Sequence, residues 1–283
     1  MNKRFFVLIL LFLVKSGVLA AGLLTVTMLD VGQGSSIVVK SPTGKIMVVD
    51  CGTSSWKNDE LVGDKVTAPY VQSLGKNNID LAVLTHPHID HVSGFARLLK
   101  KKPAKIVLDL GIPDTLDNYT AFMKEVKKSK AKYIKARRGQ SFDIGGGVKV
   151  YVLSPNPYIK YRDLNENSIV LKIAYKFTSF ILAADAGVDA EFDILSKYKN
   201  LKAQVLQVGH HGSKTSSSQN WLNTLKPTAA AISVGRNNIY NLPAKDTIAK
   251  LQNRHIKIYR TDKNGAIIFS SDGKTIRAKT ILK

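Results

Sequence analysis

The sequence predicts an α/β protein in which two sheets pack face to face with helices outside them, and three observations carry that expectation. Short apolar runs punctuate the chain, helical stretches fall between them, and both ends are strand-rich. Composition agrees. With 44% apolar and 22% charged residues over 283 positions, the chain can bury a large core, which excludes a disordered, collagen-like or coiled-coil protein.

Taken in order, residues 1–20 read as a targeting segment. Lys3 and Arg4 precede an apolar run over 5–14, and small residues lead to Ala20. This is the layout of a secretory signal peptide, cut after Ala20 or Ala21. The apolar run reaches only about 15 Å as a helix, half of a hydrocarbon core. An uncleaved anchor is the alternative, because Lys15 sits close to the cut. The expected product is a secreted or periplasmic domain over 21–283 with no membrane span.

Three β-rich runs follow at 23–31, 35–40 and 45–50, separated by Gly32-Gln33-Gly34 and Pro42-Thr43-Gly44, and they read as a meander. Further strands are expected at 79–84, 105–108, 148–153, 168–174, 177–184, 205–208, 229–234, 256–259 and 266–269. Helices are expected between them at 66–74, 91–99, 119–129, 190–197, 218–225 and 244–252. Cys51 is the only cysteine, so no intrachain disulfide forms, and its place at a strand end reads as a buried small residue.

Charge is the unusual feature. Lys and Arg total 42 against 21 Asp and Glu, a net charge of +21, of which +18 remains once residues 1–20 are removed. Such an excess fits nucleic acid, anionic lipid or an acidic cell-wall polymer, with simple solubility as the bland reading. Between Arg97 and Arg138 stand thirteen cations and four acids, net +9. A cluster of that density can neutralise several phosphates, with binding that weakens steeply in salt.

Five of the six histidines fall in two clusters: His86, His88 and His91 within LTHPHIDH, and His210 with His211 in QVGHHGS. The first follows an apolar strand, where sites of layered α/β proteins gather. Three imidazoles and Asp90, together with the His210–His211 pair, offer more donors than one tetrahedral ion needs, which points to two ions of the Zn, Mn or Fe type. Asp185 closes the apolar run at 177–184 and can bridge two cations; its alternative is a helix cap. His255, isolated between charged neighbours, reads as exposed.

These motifs resemble the metallo-β-lactamase superfamily. MLDVGQGSSIVV, VVDCG, NENSIVLKI, FILAADAG, LQVGHHGSKTSSS, ISVGRNNIYNLPAKDTIAKL and TDKNGAIIFSSDG resemble, in the same order, the soluble hydrolase domain of ComEC-type competence proteins. The resemblance implies a four-layer αβ/βα sandwich with two divalent ions, Zn or Mn, between the sheets. His86 and His88 would hold one ion, Asp90 and His91 the other, and Asp185 would bridge. His210 would complete the second site and His211 would face substrate, with the reverse assignment as the alternative. Asp30 and Asp50 match acids that orient ligand imidazoles. There are departures: no histidine occurs from Val92 to Gly209, so Asn165 or Asn167 would border the first ion; Ser35 and Leu242 replace an Asp and a His of the pattern.

The expected activity is metal-assisted hydrolysis of DNA phosphodiesters, with His211 protonating the leaving oxygen and Ser213, Lys214, Thr215 and Asn238 holding phosphate. The Ser213 to Ser218 run also reads as an ordinary polar loop and helix cap. Few aromatics lie in the basic stretch, so sequence-independent backbone binding by a monomer, without a protein partner, is expected. Two rivals stand beside this reading. One is a hydrolase of a β-lactam, a lactone or a cell-surface phosphoester; the other is a non-catalytic DNA-binding module.

Overall fold

A computed structural model describes residues 22–55, 57–112 and 116–281. The signal peptide expected at 1–20 lies outside the described residues. Among those residues, no helix is long and apolar enough to cross a membrane.

The meander forms as expected, with β1 (Leu24–Met28), β2 (Ile37–Lys40) and β3 (Ile46–Val49) paired antiparallel. A π-helical turn at Gly63–Thr67 runs into α1 (Ala68–Ser73), and β4 (Ile79–Leu84) then pairs parallel to β3. After β4 come α2 (Ile89–Val92), α3 (Phe95–Lys101), β5 (Ala104–Asp109), α4 (Asp117–Ser129) and β6 (Lys132–Lys135). The second half contributes β7 (Ser141–Asp143), β8 (Val148–Ser154), β9 (Val170–Tyr175), β10 (Thr178–Leu182) and α5 (Val188–Lys197). It continues with β11 (Val205–Gln207), α6 (Gln219–Leu225), β12 (Ala229–Ile232), α7 (Lys245–Gln252) and β13 (Lys257–Arg260). The short α8 (Thr261–Asn264), β14 (Ala266–Ser271) and β15 (Ile276–Ile281) close the chain.

Two sheets result, ordered β15-β14-β1-β2-β3-β4-β5-β6 and β13-β12-β11-β10-β9-β8-β7. Strand periodicity explains the layers. In β3, Met47 and Val49 face the core between the sheets, while Ile46 and Val48 face the helical layer holding Val71, Phe95, Leu98 and Phe122. In β10, Phe180 and Leu182 join the central core, while Ile181 packs outward with Ile194, Trp221 and Leu222. Strands buried on both faces need continuous apolar runs, so they were legible as such. This is the expected four-layer αβ/βα sandwich.

The sequence reading missed β6, β7 and β15. All three are sheet edges without a continuous apolar run: β7 has three residues, and cations interrupt β6 (Lys-Tyr-Ile-Lys) and β15 (Arg277 and Lys279). Charge on an edge blocks pairing with another chain, and it also erases the hydrophobic pattern.

The basic segment is partly neutralised by acids remote in sequence. Arg97 meets Glu60 and Asp64, Lys101 meets Asp64, Lys105 meets Asp80, and Arg138 meets Asp193. The charge available to a partner is therefore smaller than the count over 97–138 implies.

Candidate metal centre

The site forms where β4 ends. Its last residue is followed by Thr85 and His86, and His88 stands in extended geometry just before α2, which carries Asp90 and His91. Two tight backbone approaches hold this loop. Ser35 N–H donates to the Asp90 carbonyl at 2.9 Å and Cys51 N–H donates to the His91 carbonyl at 2.9 Å. A Cβ on Gly52 would lie 2.4 Å from the His91 nitrogen, and one on Gly34 would lie 2.3 Å from the Gly52 carbonyl. The glycines of VGQGSS and VVDCG are thus needed for contact with the histidine loop. Cys51 is buried, and burial pushes its thiol up to about 12, which makes it inert.

Asp185 comes from the other sheet, beyond β10. It is not a helix cap, since Gly187 occupies that position for α5. Its two oxygens face different imidazoles. Oδ1 lies 3.3 Å from His91 Nε2 and 3.6 Å from His211 Nε2, whereas Oδ2 lies 3.9 Å from both His86 Nε2 and His210 Nε2. His211 Nε2 is also 3.1 Å from Asp90 Oδ2, and His88 Nδ1 is 3.1 Å from His86 Nε2.

Among the described residues, Asp90, His91, Asp185 and His211 form one set whose ligand atoms all lie within 4.8 Å of one another. The sequence reading favoured His210 for this set. The structure instead buries His211 in it and leaves the His210 side chain 30% exposed. The two residues are adjacent, with φ 50° and 52°, so both occupy the left-handed region, and the chain turns their rings to different sides of Asp185. Non-glycine residues reach that region at a cost of about 1–3 kcal/mol each, and such strain concentrates at functional sites. The GHHGS motif hides this reversal because the backbone angles decide it.

The donor set fits a divalent ion. His91 Nε2, Asp185 Oδ1 and His211 Nε2 are buried and lack hydrogen-bond partners, an arrangement that is costly unless something is bound between them. The opposite ring nitrogens are occupied. His91 Nδ1 lies 2.7 Å from Asp50 Oδ2, and His211 Nδ1 donates to the Ser233 carbonyl at 2.8 Å. His86 Nδ1 lies 3.1 Å from the Thr85 hydroxyl and 3.5 Å from that of Ser168. Each ring therefore presents Nε2 inward, the tautomer control that metal sites require.

Electrostatics agree. Burial alone would raise the Asp185 and Asp90 carboxyls, but neighbouring His91 and His211 outweigh it and hold both well below the usual range. For His91 and His211, burial opposes the charge, yet Asp185 and Asp90 raise both, joined at His91 by Asp50. Burial, reinforced by the charge of His91, keeps His86 neutral. A divalent ion between these groups would supply the positive charge that the two carboxylates favour.

The other expected residues divide sharply. Asp50 grips His91 and accepts the Thr85 N–H and hydroxyl at 2.9 Å each. Asp30 instead accepts the Gly32 N–H and shapes the glycine turn. Asn167 is consumed by its own loop, bonding Tyr161 and Asp163, so Ser168 rather than Asn167 reaches His86. Asn238 is likewise spent on the backbone of Gly235 and Leu242, which makes it a loop clamp and not a free phosphate ligand. Ser213 bonds Thr215, Lys214 is exposed, and Ser218 caps α6 by accepting from Trp221 N–H. His255 is exposed, as expected.

Missed by the sequence reading were Ser233, which anchors His211, and Gln33, whose side chain accepts the Gly235 N–H and joins that loop to the glycine turn. Neither residue type in isolation signals such a role.

This fold with this donor set defines a metal-dependent hydrolase framework, and residues 29–236 match the Metallo-beta-lactamase superfamily; the chain belongs to that superfamily. It is 32% identical over 257 residues to ComE operon protein 3 of Bacillus subtilis, covering 86% of this chain and 32% of that protein. It is 29% identical over 257 residues to the competence protein ComA of Neisseria gonorrhoeae, covering 90% of this chain and 33% of that one. The chain thus spans about a third of the length of these relatives. Among solved structures, the metallo-beta-lactamase fold protein YhfI of Bacillus subtilis superposes with a TM-score of 0.58 at 12% identity, over 88% of this chain and all of that one. The metallo hydrolase Igni18 of Ignicoccus hospitalis gives 0.54 at 16%, over 87% and 98%. At such identities the likeness concerns the fold.

Proposed function

We propose that this chain is an exported, metal-dependent phosphodiesterase that cleaves DNA. The observation that carries the reading is the buried set Asp90, His91, Asp185 and His211, with the second Asp185 oxygen 3.9 Å from His86 Nε2. Asp90, His91, Asp185 and His211 would hold one ion, and His86 and His88, beside Asp185, would hold the other. When bound, Zn or Mn would supply a lowered pKa for the attacking water and positive charge beside the phosphoryl oxygens.

The chain's own groups do the rest. Asp50 and the Ser233 carbonyl fix the tautomers of His91 and His211. His210, partly exposed and beside Thr215, takes the substrate-facing role first assigned to His211 and protonates the leaving oxygen. Ser213 and Lys214 flank it and receive the phosphate. The charge of +18 that remains without residues 1–20 and the competence proteins among the relatives support DNA over a β-lactam or lactone, neither of which is a polyanion. Residues 1–20 would direct export, and the product would act as a monomer.

The test is incubation of the protein and of Asp90→Ala with single- and double-stranded DNA across a metal panel. Cleavage that needs Mn or Zn, falls with salt and EDTA, and disappears in the variant is expected. Protein that shifts DNA but never cleaves it overturns the reading.

A further inference from the structure

A cavity of about 440 Å³ opens on the same rim as the metal centre, lined in part by Lys135, Arg137, Arg138, Tyr158 and Lys160. It lies past the carboxyl ends of β5, β6 and β8. Because β4, β5 and β6 run parallel, its β6 wall stands two strand spacings, about 10 Å, along the rim from the end of β4 that carries His86. The two sites share a boundary. Asn167 lines the cavity, and the next residue, Ser168, reaches His86 Nδ1 at 3.5 Å.

The lining contains four cations and no acid. Arg138 is bound to Asp193 and to the Leu153 carbonyl, whereas the side chains of Lys135, Arg137 and Lys160 are exposed and make no ion pair among the described residues. Beside them Tyr158 is 94% exposed, a large aromatic face open to solvent. Cations along a groove with an unburied aromatic ring match a single polynucleotide strand, whose phosphates need charge and whose bases need a stacking surface. An anionic polymer without bases would use the cations alone.

We propose that this groove holds the single strand adjoining the phosphodiester at the metal centre, with Lys135, Arg137 and Lys160 on phosphates and Tyr158 stacked on a base. The proposal rests on the nuclease reading for its substrate, but binding is measured separately from cleavage.

The experiment uses the full, metal-loaded chain and a fluorescent phosphorothioate oligothymidylate, which keeps charge and bases while resisting hydrolysis. Affinity is read by anisotropy across a salt series. Replacing Lys135, Arg137 and Lys160 by Ala should weaken binding and reduce the slope of log K against log salt by about 2. Tyr158→Ala should weaken binding about fivefold or more with the slope unchanged, and Tyr158→Phe should restore it. Lys124, Lys127 and Lys128 changed to Ala on α4 serve as an equally basic control and should leave binding intact. Equal loss from the control, or no change in slope, overturns the groove. So does a Tyr158→Ala variant that binds normally, which would mark a site for a base-free acidic polymer. If groove-dependent binding holds while no metal supports cleavage of ordinary DNA, the nuclease reading fails and the groove stands. If cleavage proceeds with KM unchanged in the groove variants, the groove fails and the nuclease stands.

Discussion

Asp50 Oδ2 lies 2.7 Å from Nδ1 of His91, two buried groups 41 residues apart whose pairing turns His91 Nε2 toward Asp185. Thr85 holds the same carboxylate from the other side, so the acid has one orientation available. Loss of such a supporting group typically costs 10–100-fold in metal affinity. Asp50→Asn is therefore expected to weaken binding of one ion by about that factor, measured by chelator competition, with the other ion retained.

The adjacent histidines should separate by readout. His211→Ala is expected to lose about one ion per chain by elemental analysis. His210→Ala is expected to keep its metal yet lose about 10²-fold or more in kcat, together with one limb of the pH–rate profile. Metal loss in His210→Ala with none in His211→Ala would reverse the assignment.

Gly52 has no room for a methyl group against the His91 backbone. Gly52→Ala should push α2 away and cost about 1–3 kcal/mol in urea unfolding. Metal affinity should drop as well, because Asp90 and His91 move with that backbone.

Metal addition should raise stability through mass action. At about 100 times Kd, Zn or Mn is expected to contribute about 2.7 kcal/mol, or about 5–10 °C in Tm. Asp185→Asn should abolish most of that shift, as it removes the carboxylate common to both imidazole groups.

Glu191 offers a test far from catalysis. It is buried, accepting the backbone N–H groups of Ser217 at 2.5 Å and Ser218 at 2.8 Å, and burial pushes its carboxyl from 4.5 up to about 7. Between those values the folded chain keeps a proton that the unfolded chain releases. The Glu191 contribution to stability should therefore be greatest below 4.5, fall by on the order of 3 kcal/mol through that window, and level off above 7. Glu191→Gln should flatten the profile in urea unfolding; an unchanged slope would remove Glu191 as its source.

By itself the sequence determined the layers and the residues that gather at the site. Strands buried on both faces require apolar runs, and a divalent site requires histidines and carboxylates, so β4, β10, the HPHIDH loop and Asp185 were all visible as patterns. Its blind spots have one cause: they depend on what comes together across the fold. The edge strands β6, β7 and β15 carry no continuous apolar run, and Asn167 and Asn238 look like ligands until their loops close around them. Acids at Glu60, Asp64, Asp80 and Asp193 quench cations that the linear count leaves free. Tyr158 joins Lys135 and Arg137 at one cavity only because β6 and β8 end on the same rim. Only the tertiary structure decided which of two neighbouring histidines faces Asp90, because a pair of left-handed backbone angles sets that choice and residue type does not.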